Sequence, residues 1–203
     1  LMDAHEGVVE QDLHLLGQTI EAGRGLIICL NKWDGLDADD KARIRAELER
    51  RLIFVDYADI HFISALHGTG VGHLYKSIHG AYESATRKLN TNQLTRILEG
   101  AVHDHPPPMI NGRRIKLRYA HAGGQNPPLV IIHGNQTGKI PSAYERYLEK
   151  VFRRELSLSG TPVRVEFRSG ENPFADKRNK LTQRQVQRKR RMMAHVKKSK
   201  RKK

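Results

Sequence analysis

Two short hydrophobic runs constrain this chain more than any other feature. Leu26-Ile27-Ile28-Cys29-Leu30 and Ile60-His61-Phe62-Ile63 are each bounded by turn residues and separated by a segment of helical periodicity. Runs of this kind are the pattern of strands buried on both faces, which occur in parallel sheets with helical crossovers. The helices are also legible. Val9, Leu13, Leu16 and Ile20 repeat at helical spacing over 8–22, a segment ended by Gly23 and Gly25. Ile44, Leu48 and Leu52 mark a second helix, with Asp37, Asp39 and Asp40 near its start, where the helix dipole favours negative charge. Leu74, Ile78, Ala81 and Ala85 mark a third. The order helix, strand, helix, strand, helix predicts an α/β unit over residues 1–85.

The pattern lapses over residues 86–91, which read as a linker, and a different one follows over 92–172. Leu94, Ile97, Leu98 and Val102 form a helical stripe that Pro106-Pro107-Pro108 prevents from continuing. Ile115, Leu117 and Tyr119 alternate with Lys116 and Arg118, the turn Gly123–Pro128 reverses the chain, and Leu129-Val130-Ile131-Ile132 returns. Pro141 opens a helix bearing Tyr144, Tyr147, Leu148, Val151, Phe152 and Leu156 on one face. Val163, Val165 and Phe167 then alternate with Arg164, Glu166 and Arg168. This α-β-β-α-β order predicts a small α+β domain with an antiparallel pair and one strand returned by a helix.

Charge divides the chain a third way. Its 203 residues hold 36 Lys and Arg against 22 Asp and Glu, a formal net charge of +14. Residues 1–90 carry 10 basic and 14 acidic side chains, residues 91–176 carry 12 and 8, and residues 177–203 carry 14 and none. A balanced body with a cationic tail over 173–203 points to a polyanionic partner. The single cysteine, Cys29, sits in an apolar run and reads as a core thiol; it excludes an intramolecular disulfide. The longest apolar run is far short of the roughly 20 residues of a membrane helix, and no secretory signal is visible. These features predict a soluble, cytoplasmic protein with no membrane partner.

The chemistry-bearing residues follow the two runs directly. Asn31-Lys32-Trp33-Asp34 comes straight after the first and Ser64-Ala65 straight after the second. Both sit at the carboxyl ends of parallel strands, where open α/β sheets bind ligands. A carboxylate at Asp34 can accept two hydrogen bonds, from the ring N–H and the exocyclic amine of guanine. Adenine offers no matching donors, so the carboxylate would be left unpaired and the wrong base rejected. Asn31 suits the opposite edge of the base, the Lys32 stem its plane, and the Ala65 backbone N–H the guanine carbonyl.

Asn31-Lys32-Trp33-Asp34 with Ser64-Ala65 resembles the guanine-reading half of a translation-factor-type GTPase. The rest of the chain narrows the resemblance to the C-terminal portion of the Der (EngA) family. Asp3-Ala4-His5-Glu6-Gly7, Ser64-Ala65-Leu66-His67-Gly68-Thr69-Gly70, Pro106-Pro107-Pro108 and Gly134-Asn135-Gln136-Thr137-Gly138-Lys139-Ile140-Pro141 are all similar to stretches of that family. The resemblance implies two tandem GTPase domains followed by a KH-like domain, acting in assembly of the bacterial large ribosomal subunit. It implies that Asn31, Lys32, Trp33, Asp34, Ser64 and Ala65 contact GTP or GDP. The implied fold is α/β plus α+β: a partial P-loop-type GTPase sheet lacking its first strands, then a KH-like domain.

The chain also departs from the family pattern. No Gly-x-x-x-x-Gly-Lys-[Ser/Thr] loop is present: Gly134 to Gly138 has three residues between glycines, and Ile140 stands where Mg²⁺ needs a hydroxyl. The expectation is therefore a fragment, without phosphate cradle or Mg²⁺ ligands of its own and inactive in GTP hydrolysis by itself. Residues 91–168 also lack the Gly-x-x-Gly loop with which KH domains clamp RNA. The helical charges Arg146, Lys150, Arg153 and Arg154 alternate with Glu145, Glu149 and Glu155 and read as a solvated face. In the tail, Lys177, Arg178, Lys180, Arg184, Arg188, Lys189, Arg190 and Arg191 are the candidate contacts to ribosomal RNA, and no DNA partner is expected. The alternative reading is a non-enzymatic RNA- or ribosome-binding module on a degenerate scaffold. An Era-type GTPase with an RNA-clamping KH domain is disfavoured by the missing glycines. His103 and His105 lack further ligands at metal spacing, so no metal site is expected.

Overall fold

The computed structural model describes residues 1–110, 112–169, 183, 187 and 191–193. Leu1–Gly170 form one compact unit and Glu171–Lys203 a second.

The first unit begins with strand β1 (Met2–Asp3), helix α1 (Glu10–Glu21), β2 (Ile27–Asn31), α2 (Ala38–Arg51), β3 (Asp59–Phe62) and α3 (Val71–Thr86). The three strands form a parallel sheet in the order β1-β2-β3. Its core follows from the helical and strand periods together: Leu16 from α1, Ile28 and Leu30 from β2, and Ile44 and Leu48 from α2 pack in one buried cluster with Met2, Ala4, Val8, Leu36 and Leu52. The Asp37 carboxylate caps α2 by accepting from the Asp40 N–H at 2.8 Å, and Arg50 and Arg51 sit in its last turn, as the dipole favours.

Two expectations need correction. The run 60–63 is not buried on both faces. Ile60 is 38% exposed, His61 and Phe62 are half-buried, and only Ile63 is buried, at 4%. The reason is position: among the described residues β3 is the outer strand of its sheet, so it has a neighbour on one side only. In the first run Ile28 and Leu30 are buried while Ile27 and Cys29 are half-buried, and burial pushes the Cys29 thiol pKa up. On α3 the buried residues are Ala81, Ser84 and Ala85; Ile78 is half exposed.

Residues 87–90 lead to α4 (Thr91–Asp104), whose start is capped by Asn90 Oδ1 accepting from the N–H groups of Asn92 (2.8 Å) and Gln93 (3.3 Å). There follow β4 (Met109–Ile110), β5 (Arg113–Arg114), β6 (Lys116–Gly124), β7 (Leu129–Asn135), α5 (Ser142–Glu155) and β8 (Arg164–Ser169). β4 and β5 form a two-stranded antiparallel pair that sequence periodicity did not reveal. β6 pairs antiparallel with β7, and β8 returns through α5 to pair parallel with β7, the expected α-β-β-α-β arrangement. Leu94, Leu98, Ala120, Val130, Ile132, Leu148 and Phe152 are essentially solvent-free at its centre. Full burial of a side chain the size of Phe152 stabilises by about 1.5–3 kcal/mol.

The two clusters meet through backbone. The Leu26 N–H at the start of β2 donates to the Gly160 carbonyl at 2.7 Å, the Gly160 N–H donates to the Tyr57 carbonyl at 2.8 Å, and the Asn126 N–H donates to the Ala85 carbonyl at 2.9 Å. Gly160 has φ +63°, and a Cβ there would lie 2.5 Å from the Ala81 Cβ, so only glycine allows this approach. Asp56 accepts from Lys150 at 2.7 Å and Arg153 at 2.8 Å, and the Arg153 guanidinium lies 4.4 Å from the Tyr57 ring centroid. Among the described residues no helix is long and apolar enough to cross a membrane.

Candidate functional site

The site is built by two loops that leave the sheet side by side. The ladder between β2 and β3 continues past the strand ends, with the Ile63 N–H donating to the Leu30 carbonyl at 2.8 Å and the Trp33 N–H donating to the Ile63 carbonyl at 3.1 Å. Both motifs therefore emerge at the same carboxyl edge. The first loop turns at Lys32, which has left-handed φ 64°, ψ 30° and leads into a single helical turn over Trp33–Gly35. A non-glycine residue held there costs about 1–3 kcal/mol, a strain that clusters at functional sites. The second loop is closed by the Ser64 N–H donating to the Thr69 carbonyl at 3.0 Å. It ends at Gly70, whose φ is +77° and where a Cβ would sit 2.7 Å from the Phe62 carbonyl oxygen.

Across the gap, Asn31 Oδ1 accepts from the Ala65 N–H at 2.8 Å. That bond engages the amide oxygen and leaves the NH₂ as the donor of the side chain. Ser64 is 2% exposed; its hydroxyl accepts from the His67 N–H at 3.3 Å. The Ser64 hydroxyl, then the Asp34 backbone N–H, hold the Asp34 pKa below the usual carboxylate value. Lys32 Nζ lies 2.5 Å from Asp3, which is likewise held ionised, chiefly by that ammonium. His5, Asn31, Lys32, Asp34, Ser64 and Leu66 line a cavity of about 330 Å³.

The structure thus gathers Asn31, Lys32, Asp34 and Ser64 at one opening. Ala65 contributes its backbone, but that N–H is engaged by Asn31, so the donor expected for a guanine carbonyl is held within the protein. Trp33 does not line the cavity; its ring packs on Phe62 at 4.2 Å with the Arg45 guanidinium 5.4 Å from the Trp33 centroid. Sequence reading assigned no role to Asp3, His5 or His67, whose Nε2 lies 3.4 Å from Asp34. Strand β1 is two residues long and carries no period, so nothing in the pattern signalled that Asp3 would reach Lys32.

A carboxylate beside an amide donor can take two N–H groups and give one to a ring nitrogen, a pattern that guanine complements. Among the described residues, no group of three or more His, Cys, Asp or Glu converges as a metal site. Of the tail candidates, Arg191 is helical and exposed, as are Gln183 and Gln187. Lys177, Arg178, Lys180, Arg184, Arg188, Lys189 and Arg190 lie outside the described residues.

Residues 88–168 match the family model described as the KH-domain-like region of EngA bacterial GTPase enzymes, C-terminal. The GTPase Der of Teredinibacter turnerae is 66% identical over 200 residues, 98% of this chain and 43% of that protein. Those of Hahella chejuensis and Pseudomonas putida are 64% and 62% identical over 202 residues, covering 43% and 42% of those proteins. The chain thus spans about two-fifths of the length of the relatives it matches. The crystal structure of Era in complex with MgGDPNP and nucleotides 1506–1542 of 16S ribosomal RNA aligns at 20% identity over 83% of this chain and 63% of that one. Its TM-score is 0.34.

Proposed function

We propose that this chain, which belongs to the GTPase Der (EngA) family and corresponds to the C-terminal portion of its members, reads the base of a guanine nucleotide and docks on ribosomal RNA. In this reading residues 1–85 are the end of a GTPase domain, 92–172 the KH-like domain and 173–203 a cationic docking tail. The whole protein hydrolyses GTP, with Mg²⁺ and phosphate ligands supplied from outside this chain, and acts in assembly of the large ribosomal subunit in the cytoplasm. Asp34 accepts from the guanine ring N–H and amine, Asn31 donates to the opposite edge, the Lys32 stem covers the base plane, and Ser64 and Ala65 hold Asp34 and Asn31 in place. Trp33 supports the loop by packing beneath it.

The observation that carries this reading is the bond from the Ala65 N–H to Asn31 Oδ1 at 2.8 Å, which ties the two guanine-reading loops together at one sheet edge. Nucleotide titration of a chimera, with the N-terminal part of the T. turnerae GTPase Der placed before Leu1, tests it. GTP and GDP bind, ATP does not, and Asp34→Asn shifts preference toward xanthine nucleotides, because an amide can donate to the xanthine carbonyl where a carboxylate cannot. Equal affinity for ATP and GTP overturns the reading.

The docking half rests on 14 basic and no acidic residues over 177–203, which would release counterions from a phosphate backbone and make binding steeply salt-dependent. Sedimentation with large ribosomal subunits at rising salt, with and without residues 177–203, tests it; unchanged binding after deletion removes the tail from the mechanism.

A further inference from the structure

The KH-like domain has no Gly-x-x-Gly clamp, so any RNA contact it makes must use another surface. Residues 105–144 carry five lysine or arginine side chains and no aspartate or glutamate. This stretch includes β6 and β7. Alternation along the sheet sends Ala120, Val130, Ile132 and Val165 into the buried cluster with α4 and α5. Tyr119 and His121 on β6, His133 on β7 and Arg168 on β8 therefore face the other way. They are in register: Tyr119 lies opposite His133, and His133 opposite Arg168.

The rings form one continuous surface. The Tyr119 phenol and the His133 imidazole stack with centroids 4.5 Å apart and planes 6° apart. The His121 ring lies 5.1 Å from His133, and their Nε2 atoms are 3.0 Å apart, so one imidazole donates and the other accepts. That shared bond requires at least one neutral ring. His133 in particular has its pKa lowered, first by burial and then by His121 and Arg168. Tyr119 is 44% exposed. Glu166 is the only carboxylate among the described residues of β6, β7 and β8, and Arg168 pairs with it at 3.0 Å. Arg114, Lys116 and Arg118 are exposed along the strand edge leading to Tyr119.

A flat, mostly uncharged π surface rimmed by cations is complementary to single-stranded nucleic acid, whose bases stack on aromatic rings while phosphates meet the basic side chains. We propose that the outer face of the β6–β7–β8 sheet is a base-stacking platform for single-stranded RNA, with Tyr119 as the contact ring, His133 and His121 as its backing, and Arg168 and the β5–β6 cations over the flanking phosphates. The proposal rests on the RNA-docking reading above and adds to the tail a surface that contacts bases rather than backbone alone.

The test is binding of the full chain to an unstructured oligoribonucleotide of about a dozen nucleotides containing one 2-aminopurine, whose fluorescence falls on stacking. Wild type and Tyr119→Phe quench it; Tyr119→Ala abolishes the quench and weakens binding about ten-fold. The slope of affinity against salt is unchanged by Tyr119→Ala, because no phosphate contact is lost, and far-ultraviolet circular dichroism verifies that the variant is folded. RNA binding by wild type with the same affinity and quench in Tyr119→Ala overturns the platform but leaves the docking reading standing. Failure of wild type to bind RNA even at low salt overturns both. Binding of the Tyr119 face to a ribosomal protein with no quench by RNA overturns the platform in favour of a protein interface.

Discussion

Residues 91–169 and residues 1–86 treat their large apolar side chains differently. In the former, Leu94, Leu98, Ile132, Leu148 and Phe152 are almost fully buried, and among the described residues only Met109 and Tyr119 stand out as exposed large hydrophobics. In the latter, Leu1, Leu15, Ile53, Phe54, Ile60, Leu66, Tyr75, Ile78 and Tyr82 are all exposed by more than a third. The KH-like region closes its own core from two helices and three strands. Residues 1–86 pack their sheet on α1 and α2 but leave one side of α3 and the β3 edge uncovered by described residues. The two regions are joined through the Leu26–Gly160–Tyr57 backbone bonds at the foot of β2.

The largest expected effect that can break this contrast is Phe152→Ala. Emptying a fully buried aromatic site costs about 3–5 kcal/mol, whereas Tyr82→Ala, at a site 67% exposed, changes stability by less than about 0.5 kcal/mol. Urea denaturation of both variants reads the difference, and similar losses at the two positions remove the contrast. Next is Arg153→Ala, which deletes the pairing with Asp56 and the contact with the Tyr57 ring. It lowers stability by about 1–2 kcal/mol. If the two regions are coupled as described, unfolding of the variant occurs in two transitions, with residues 1–86 melting first; one transition shows that the backbone bonds suffice. The smallest is a pH effect at Glu149. Burial first, and Glu145 second, push its pKa up to about 7 from the ordinary glutamate value of 4.5. An acid with a raised folded pKa favours the protonated native state, so its contribution is intact below about 4.5 and is lost as pH rises through about 7. Glu149→Gln therefore flattens the fall in urea midpoint between mildly acidic and mildly basic pH; an unaltered profile assigns that fall elsewhere.

The longer elements were legible because their periods are long enough to repeat. α5 announces itself by Tyr147, Leu148, Val151 and Phe152, and β6–β7 by alternation and the intervening turn. β1, β4 and β5 were not, since two residues cannot show a period. The polar residues of the loops after β2 and β3 were legible by type and by their position after apolar runs. Their partners were less so: Asp3 reaches Lys32 from β1, and His67 reaches Asp34 from within the second loop. Trp33 looked like part of the site by adjacency, yet its ring packs on Phe62 because a left-handed Lys32 turns the chain between them.

Local order determined a great deal: the two strand–loop units, the KH-like succession of elements and the cationic tail are all written in residue types and spacing, because periodicity, capping and charge act over a few neighbours. Tertiary structure alone decided which side of β3 meets solvent, which donor Asn31 engages, and that Tyr119, His121 and His133 share one surface. Those outcomes depend on strand neighbours and register, which join residues far apart in the chain, and no local pattern encodes such a pairing.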